Sequence, residues 1–422
     1  MFIKTKVIFL YADSLQRDFS ACYILQEKLK EKGYKSFIFS RRNFKLSLKV
    51  FLPRKIFLIG QIDMINDKAL IDKSYQEGLE IHFMPAEGFA YESEYVIMYP
   101  KENDYNFLKS IFFWGQNSMA WFKKNRKINN SEKLQCAGYS RFPIAESYAK
   151  IRSSRAPKKR IGFVGRFPLL NDIYGRSVMS FFVNEQISEE REKSFSRLEA
   201  ESMAIKLYLN LFEHIISNTD YYLSLRAHPN EDTNTYKILK ETFGERVEIN
   251  NDFDVAEWIS NCSKIVGLAS SSFIDAYILK VPVICLDFML GTSTITSKFD
   301  PALGVVYGCS HLPKTKDEVI SLLLNANLKV VATEDFESLV ESDFQGDTDL
   351  VFDRVLSTIL SIPLTPSIID SLILKVLEFM DYIFSTRLRL NRNNSLQFDF
   401  SYSYHSVSNS LKNMAKNIVN KI

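Results

Sequence analysis

Two short stretches in the second half of the chain contain residues that can bind a phosphate group. In chain order these residues are Arg226, His228, Pro229, Ser270, Ser271 and Ser272. A guanidinium group and an imidazole ring both donate hydrogen bonds to anionic oxygens, and an imidazole titrates close to neutral pH. Three neighbouring hydroxyl groups add donors without bulk, whereas a helix cap needs only one serine. The residue types therefore favour an anion site. A capped helix and a hydrogen-bonded loop histidine are the alternative interpretations.

The elements around these residues follow the order strand, polar loop, helix, strand. Apolar runs bounded by polar turns predict strands at residues 221–225, 264–268 and 281–286. A helix follows the serines as far as Leu279. This order is typical of a parallel sheet, in which ligands bind beyond the carboxyl ends of the strands. The serines would then stand at the amino end of a helix, where unpaired backbone N–H groups attract anions.

The first part of the chain shows the same alternation. Residues 7–11 and 34–39 are predicted strands on either side of a helix over 17–32, and Gly33 is typical of a helix end. The loop after the first strand contains no glycine, so it is not a dinucleotide-binding fingerprint. Further predicted strands follow, and a basic segment with one proline at 151–160 is interpreted as a linker. The predicted domains are therefore residues 1–150 and 157–362, followed by a helical extension and tail over 363–422.

The composition limits the class of protein. The chain has 422 residues and a net charge of +3, which is too small to indicate nucleic-acid binding. The five cysteines lie far apart without a CxxC pair, so neither a zinc site nor a disulfide framework is expected. No apolar run approaches the roughly 20 residues of a membrane span, and the short apolar start is interpreted as a strand rather than a signal peptide. We therefore expect a cytoplasmic protein of two α/β domains.

One acidic motif has the spacing of a metal site. Asp252 and Asp254 are separated by one residue, a DxD spacing that can hold a metal–nucleotide complex. Asp254 also precedes a predicted helix, where a carboxylate accepts hydrogen bonds from unpaired backbone N–H groups. We interpret the motif as a helix cap and expect no metal site.

A strongly apolar segment lies near the end of the chain. Residues 366–390 predict a long helix, and Arg387, Arg389 and Arg392 close it. Such a helix can lie on a membrane surface, which would give peripheral membrane contact through residues 366–392. Packing across an interface between the two domains is the interpretation that we favour. The residues that follow are rich in Ser, Asn and Tyr and are expected to be peripheral.

Three motifs in a fixed order resemble those of bacterial glycosyltransferases that use CMP-activated sialic acid or Kdo. That family carries an acidic-acidic-Gly motif in its first domain, then His-Pro and a Ser-Ser or Ser-Thr pair in its second. The matching positions here are Ala86-Glu87-Gly88, His228-Pro229 and Ser270-Ser271-Ser272, so alanine replaces the first acid. The stretches at residues 114–116, 138–142 and 225–231 are also similar to proteins of surface carbohydrate biosynthesis. The resemblance covers roughly the first three quarters of the chain.

The resemblance implies a GT-B fold of the α/β class, in which two Rossmann-like domains face a cleft and a helical extension follows. It implies a transferase that moves a ulosonic or nonulosonic acid, such as Kdo or a sialic acid, from its CMP donor to a cell-surface glycan. The donor would bind the second domain, and a glycan or lipid-linked glycan acceptor the first. We expect no metal, no cofactor beyond the nucleotide-sugar substrate and no nucleic-acid partner. The enzyme would lie in the cytoplasm or at the inner face of the membrane.

The same resemblance implies roles for individual residues. His228 and the serine run would hold the CMP phosphate, where hydrogen bonds stabilise the negative charge that grows on the leaving group. Arg226 and Pro229 would complete the nucleotide site. Glu87 would be the general base of an inverting reaction. Asp172 is the alternative, as the carboxylate nucleophile of a retaining reaction.

Two other functions fit the same motifs. Polyol-phosphate transferases of the teichoic-acid type also carry His-Pro and a serine-rich turn before a helix with an aspartate, as in Ser270 to Asp275 here. They usually add a second histidine that acts as base, and His311 is the later candidate, although it lacks the expected glycine. A protein that binds a nucleotide without turnover is the other alternative, because Ala86 replaces the first acid.

Overall fold

The chain forms two compact units. One unit combines residues Met1–Ser147 with Ser338–Ile422, and the other spans Tyr148–Glu337. Residues 338–362, which the sequence assigns to the second domain, therefore belong to the first unit. The computed structural model describes residues 2–13, 17–60, 67–85, 95–96, 98–153, 159–184, 188–250, 254–299, 301–344, 350–361, 364–390 and 409–419.

The first unit is built on a parallel sheet of six strands. Its strands and a separate parallel pair are β1 (Ile3–Thr5), β2 (Ile8–Ala12), β3 (Ser36–Phe39), β4 (Phe51–Pro53), β5 (Lys55–Gly60), β6 (Glu80–Pro85), β7 (Ser110–Phe113) and β8 (Leu134–Cys136). The large sheet has the order β3-β2-β5-β6-β7-β8, and β1 pairs with β4. Buried apolar and aromatic residues fill these strands, as expected where helices cover both faces of a parallel sheet.

The second unit contains a parallel sheet of five strands. They are β9 (Arg160–Val164), β10 (Tyr222–Arg226), β11 (Val247–Asn250), β12 (Lys264–Gly267) and β13 (Val283–Cys285). The sheet order is β11-β10-β9-β12-β13, so the first strand lies between the second and the fourth. This is the order of a Rossmann-like sheet, and it reverses direction between β9 and β12. Ligands of such sheets bind in the crevice outside the carboxyl ends of the strands at that reversal.

Helices connect these strands. In chain order the described helices are Phe19–Glu31, Arg41–Ser47, Lys68–Glu77, Gln116–Asn125, Arg141–Ser153, Val178–Asn184, Ser188–Asn218, Lys237–Phe243, Val255–Ser260, Ser272–Ile278, Asp287–Leu290, Ser293–Phe299, Lys316–Leu324, Glu334–Leu339, Val351–Ile359, Ile368–Leu390 and Asn409–Val419. Short 3₁₀ turns lie at Ser131–Lys133 and Pro301–Cys309, and a π turn lies at Val340–Phe344. None of the described helices is long and apolar enough to cross a membrane.

The sequence predicts the start and end of several helices correctly. Gly33 has a φ of 79°, a left-handed conformation that favours glycine after a helix. Asp254 caps the helix Val255–Ser260, because its carboxylate accepts a hydrogen bond of 2.8 Å from the backbone N–H of Ala256. The predicted helix cap at this position is thus confirmed. Asp252 lies outside the described residues.

Each unit has its own core. In the first unit the core includes Phe9, Phe39 and Phe113 from the sheet, and Ile373 and Leu377 from the long C-terminal helix pack into it. In the second unit the helix Ser188–Asn218 lies against the sheet, and Phe212 stacks edge-on against Phe163 with ring centroids 4.8 Å apart. The α/β class with parallel sheets is confirmed.

Candidate functional site

The reversal point of the second sheet carries an arginine that bridges its two halves. Arg166 follows β9 by two residues, and its Nη1 donates a hydrogen bond to the carbonyl oxygen of Ala269, just after β12. The backbone N–H of Ala269 donates to the carboxylate of Asp287, just after β13, at 3.1 Å. The carboxyl ends of three neighbouring strands are therefore joined by side chains at the place where ligands of this sheet type bind.

A cavity of about 40 Å³ opens beside this bridge. It is lined by Arg166, Arg197, Ala200, Glu201, Leu268, Asp287, Thr292, Ile295 and Thr296. The oxygens of Asp287 are occupied within the protein, since Oδ2 accepts hydrogen bonds from the hydroxyls of Thr296 at 2.9 Å and Tyr307 at 2.6 Å. The guanidinium groups of Arg166 and Arg197 therefore face a small cavity. Of its two carboxyl groups, that of Asp287 is already hydrogen-bonded within the protein.

His228 lies beside the two arginines in a tight turn. Pro229 occupies the second position of the turn, and the N–H of Glu231 donates to the carbonyl oxygen of His228 at 2.9 Å. Burial, followed by the charges of Arg166 and Arg197, lowers the pKa of His228 to about 4. The imidazole is therefore neutral at pH 7.

The tautomer of this neutral ring follows from its hydrogen bond. The backbone N–H of Asn230 donates to Nδ1 of His228 at 3.2 Å, so Nδ1 is the acceptor. The proton must then sit on Nε2. His228 can donate this proton to an anion, and it carries no positive charge of its own at neutral pH.

Glu231 ties the His228 turn to the loop after β9. One oxygen accepts a hydrogen bond of 2.5 Å from the N–H of Phe167, and the other accepts one of 2.6 Å from the hydroxyl of Tyr236. The side chain is almost fully buried. Burial raises the pKa of Glu231 to about 7, although the hydrogen bonds from Phe167 and Tyr236 act in the opposite direction. This carboxyl group therefore positions the loop that carries Arg166.

Glu201 supports the same loop from the long helix. Its Oε2 accepts hydrogen bonds from the N–H groups of Leu169 at 3.0 Å and Leu170 at 3.1 Å. Burial raises the pKa of Glu201 to about 8, against the effect of these hydrogen bonds. Because the group is largely protonated at pH 7, it does not cancel the positive charge of the arginines in the cavity.

The three predicted serines lie immediately after β12 but have different environments. The hydroxyls of Ser270 and Ser272 are 3.0 Å apart, and the N–H of Ser272 donates to the Ser270 oxygen at 3.3 Å. Ser271 is exposed, and its side chain makes no capping hydrogen bond. The helix that follows, Ser272–Ile278, has seven residues. Two of the hydroxyls therefore interact with each other, and Ser271 is the one that faces solvent.

The remaining predicted residues lie in other surroundings. Arg226 is buried, with its Nη1 donating to Asn250 at 2.9 Å and its guanidinium 5.8 Å from the ring centroid of Trp258. These contacts join the carboxyl ends of β10 and β11. Glu87 lies outside the described residues.

Asp172 makes many contacts within its own loop. Its oxygens accept hydrogen bonds of 2.6 and 3.1 Å from the Arg176 side chain, and of 2.9 and 3.0 Å from the backbone N–H groups of Tyr174 and Arg176. Burial by itself raises the pKa of Asp172, but these bonds outweigh it and the pKa is lowered. The nucleophilic role of Asp172 stays a prediction. These contacts explain why Asp172 is buried, because its side chain holds the turn of its own loop together.

His311 pairs with the outer strand of the second sheet. Its N–H donates to Val283 at 2.8 Å, and its Nε2 contacts the carbonyl oxygen of Lys329 at 2.8 Å. In the described part of the chain, no group of three or more His, Cys, Asp or Glu residues is arranged to hold a metal ion.

Comparisons with known proteins concern the fold. No family model matches the sequence, and no curated protein matches it. A variant of the wall teichoic acid polymerase TagF is similar, with a TM-score of 0.52 and 12% identity over 84% of this chain and 88% of that chain. TagF itself gives a TM-score of 0.51 and 11% identity over 85% and 90% of the two chains. The UDP-GlcNAc 2-epimerase of Methanocaldococcus jannaschii is a weaker match, with a TM-score of 0.44 and 12% identity over 85% of this chain and 100% of that chain.

The chain therefore has the GT-B fold, as the sequence predicted. Both units carry the parallel α/β sheets of that class. At 11–12% identity the likeness shows the fold alone, because one fold can support many reactions.

Sequence reasoning missed four residues of the site, namely Arg166, Arg197, Glu201 and Glu231. Two of them left a signal, since Arg166 lies two residues after the apolar run at 161–164, which predicts a strand, and Glu231 closely follows His228-Pro229. Arg197 and Glu201 lie within a long charged helix, where charge is usually a solvated face. Their approach to the sheet depends on helix packing alone.

Proposed function

We propose that this protein is a transferase and that its second unit binds the phosphate groups of a nucleotide-activated donor. The observation that carries the proposal is that Arg166 and Arg197 line one cavity at the reversal point of the sheet and lie close enough to His228 for their charges to act on it. Guanidinium groups form strong, directed hydrogen bonds with phosphate oxygens. The same groups would stabilise the charge that grows on a departing nucleotide, which is the step where fixed donors accelerate transfer most.

The charged side chains of the cavity suit an anionic donor. They are two arginines, Asp287 and Glu201, and Glu201 is largely protonated at pH 7. A CDP-polyol carries about two negative charges on its two phosphates, and a CMP-linked ulosonic acid carries about one on its phosphate and one on its carboxylate. Charge alone therefore does not choose between these donors. The fold likeness to a teichoic acid polymerase makes the CDP-polyol, as donor of a polyol phosphate, the first candidate.

The CMP-linked ulosonic acid donor remains the second candidate. It rests on the order of the motifs at His228-Pro229 and Ser270-Ser271-Ser272. A glycan or lipid-linked glycan is the proposed acceptor for either donor, and we propose transfer without a metal ion. Glu87 stays the proposed general base from the sequence alone.

A thermal-shift and calorimetric titration panel tests the donor class. The full chain is titrated with CMP, CDP, UDP and GDP without added metal, because a ligand that binds only the folded state raises the midpoint of unfolding. CDP should stabilise more than CMP for a polyol-phosphate transferase, and CMP at least as much as CDP for a ulosonic acid transferase. A shift with UDP or GDP alone would contradict the cytidine donor.

Variants locate the site. Arg166→Gln and Arg197→Gln should each weaken nucleotide binding about 10- to 150-fold, the equivalent of about 1.5–3 kcal/mol for a charged hydrogen bond. His228→Ala should weaken it too, and His228→Gln, which retains an N–H donor, should weaken it less. Arg160→Gln is the matched control, because Arg160 begins the same strand at its opposite end. Equal weakening in the control would mean that the effect comes from the fold.

A further inference from the structure

The long C-terminal helix of the first unit, Ile368–Leu390, has an apolar face that is exposed. Five large apolar side chains on it are 40% to 90% exposed, namely Ile368, Ile369, Leu372, Val376 and Phe379. Residues 368, 372, 376 and 379 follow the spacing of one helix face. These five side chains form an exposed stripe.

The opposite face of the helix is the one anchored to the protein. Asp370 accepts hydrogen bonds from the hydroxyl of Thr5 and the N–H of Lys6, both at 2.8 Å. Asp381 accepts one of 2.9 Å from Asn43, and Leu377 is buried in the core. The rotation of the helix is therefore set by buried carboxylates that are satisfied within the first unit. It cannot turn the exposed stripe inward without breaking these bonds.

Basic side chains accompany the exposed stripe. Lys375 is exposed between Leu372 and Phe379 on the same face. At the start of the helix the ammonium group of Lys6 donates to the carbonyl oxygen of Thr365 at 2.8 Å. Glu378 is an exposed acidic residue at the border of this face. Two lysines and one glutamate therefore accompany the apolar groups of the exposed stripe.

We propose that the exposed stripe lies on an anionic lipid bilayer. Apolar side chains on one helix face enter the boundary between headgroups and acyl chains, while lysines next to them contact acidic headgroups. The lysine stem can also lie along the apolar surface with its ammonium group at the headgroup level.

The composition of the face favours a bilayer over a second copy of the chain. A stable interface between two proteins takes about 20–30 residues from each side. The exposed stripe offers five, and a two-fold arrangement would bring two Lys375 ammonium groups together. A bilayer requires only a narrow apolar face, and its acidic headgroups attract the positively charged lysines.

Co-sedimentation of the full chain with vesicles tests the proposal. Binding is expected to vesicles of phosphatidylcholine with phosphatidylglycerol, to be weaker with phosphatidylcholine alone, and to fall at high salt. The double variant Leu372→Ser and Phe379→Ser should reduce partitioning at least about tenfold. Ile238→Ser is the matched control, because Ile238 is 59% exposed on the second unit, close to the 62% of Leu372. Lys375→Glu should reduce binding to the anionic vesicles while leaving binding to phosphatidylcholine unchanged.

Three results would overturn the proposal. The wild-type chain could bind neither type of vesicle, or the double variant could bind as the wild type does. The third is a wild-type dimer that the double variant dissociates while vesicles have no effect, which would make the exposed stripe an interface between copies. Both substituted side chains are exposed, so calorimetry should show an unchanged midpoint of unfolding and exclude a folding defect.

Discussion

Replacement of Gly165 by alanine tests how closely the loop after β9 must approach the end of β10. The N–H of Gly165 donates to the carbonyl oxygen of Arg226 at 2.7 Å. A Cβ atom added to Gly165 would lie 2.8 Å from that oxygen, 2.9 Å from Oε2 of Glu231 and 3.0 Å from the Cα of Ala227. Backbone atoms at the end of β10 cannot yield easily, because the strand is paired on both sides. The loop itself would have to move.

The expected cost follows from this crowding. Overpacking of a tight site costs about 1–3 kcal/mol. For a unit of this size, each kcal/mol lowers the melting temperature by about 2–4 °C. Gly165→Ala should therefore lower the unfolding transition of the second unit by roughly 2–12 °C in scanning calorimetry of the full chain. It should also weaken nucleotide binding, since Arg166 is the next residue.

Gly304→Ala in the same unit provides the control. The nearest atom to a Cβ at Gly304 is Cε2 of Tyr307 at 3.9 Å, an ordinary contact distance. This variant should change the melting temperature little or raise it slightly, because alanine restricts the unfolded chain. Equal melting temperatures for Gly165→Ala and the wild type would refute the claim that the loop needs this close approach.

Three further predictions concern carboxyl groups. Burial raises the pKa of Glu201 from 4.5 to about 8, so the folded protein binds more protons than the unfolded chain between these values and the stability that Glu201 contributes falls as the pH rises. In urea titrations the difference in unfolding free energy between wild type and Glu201→Gln should shift against the wild type by about 1.4 kcal/mol per pH unit between pH 6 and 7, and a constant difference would count against the raised pKa. Asp172→Asn should lower stability by about 1–2 kcal/mol in urea titrations, because Asp172 accepts four hydrogen bonds within its loop. Intact-protein mass spectrometry with a CMP-linked donor tests its predicted role as nucleophile: a covalent adduct on the wild type that the variant lacks would establish the role, and no adduct on either would refute it. Asp370→Ala should lower the free energy of unfolding in urea by about 2–4 kcal/mol, because Thr5, Lys6 and Ser367 lose their hydrogen-bond acceptor. Glu378→Ala, on the exposed side of the same helix, should change it by almost nothing. Similar losses of stability in both variants would contradict the anchoring role of Asp370.

The pattern of burial along the chain predicts most of the strands and the major helices. The strands Ile8–Ala12 and Ser36–Phe39 and the helix Phe19–Glu31 lie within two residues of their predicted bounds of 7–11, 34–39 and 17–32. Such elements are predictable because the period of their apolar residues reflects which face is buried. The short edge strand Val247–Asn250 was not predicted, since polar side chains at two of its four positions hide the apolar pattern.

The arrangement of the candidate site depends on the order of strands in the sheet. His228 and the serine run follow β10 and β12, and the sequence suggested that they lie close together. The structure inserts β9 between these two strands and so places Arg166 between the two motifs.

Local sequence determined the α/β class, the His-Pro turn and the polar ends of the strands, because these depend on residues a few positions apart. Only the tertiary structure decided that Arg197 and Glu201, from a helix more than 25 residues before His228, would line one cavity with Arg166. Strand order and helix packing minimise the free energy of the whole unit through contacts far apart in the chain, so no local pattern records them. The same holds for the long C-terminal helix, whose apolar residues could be read in the sequence. Which of them face the core was decided by the hydrogen bonds of Asp370 and Asp381.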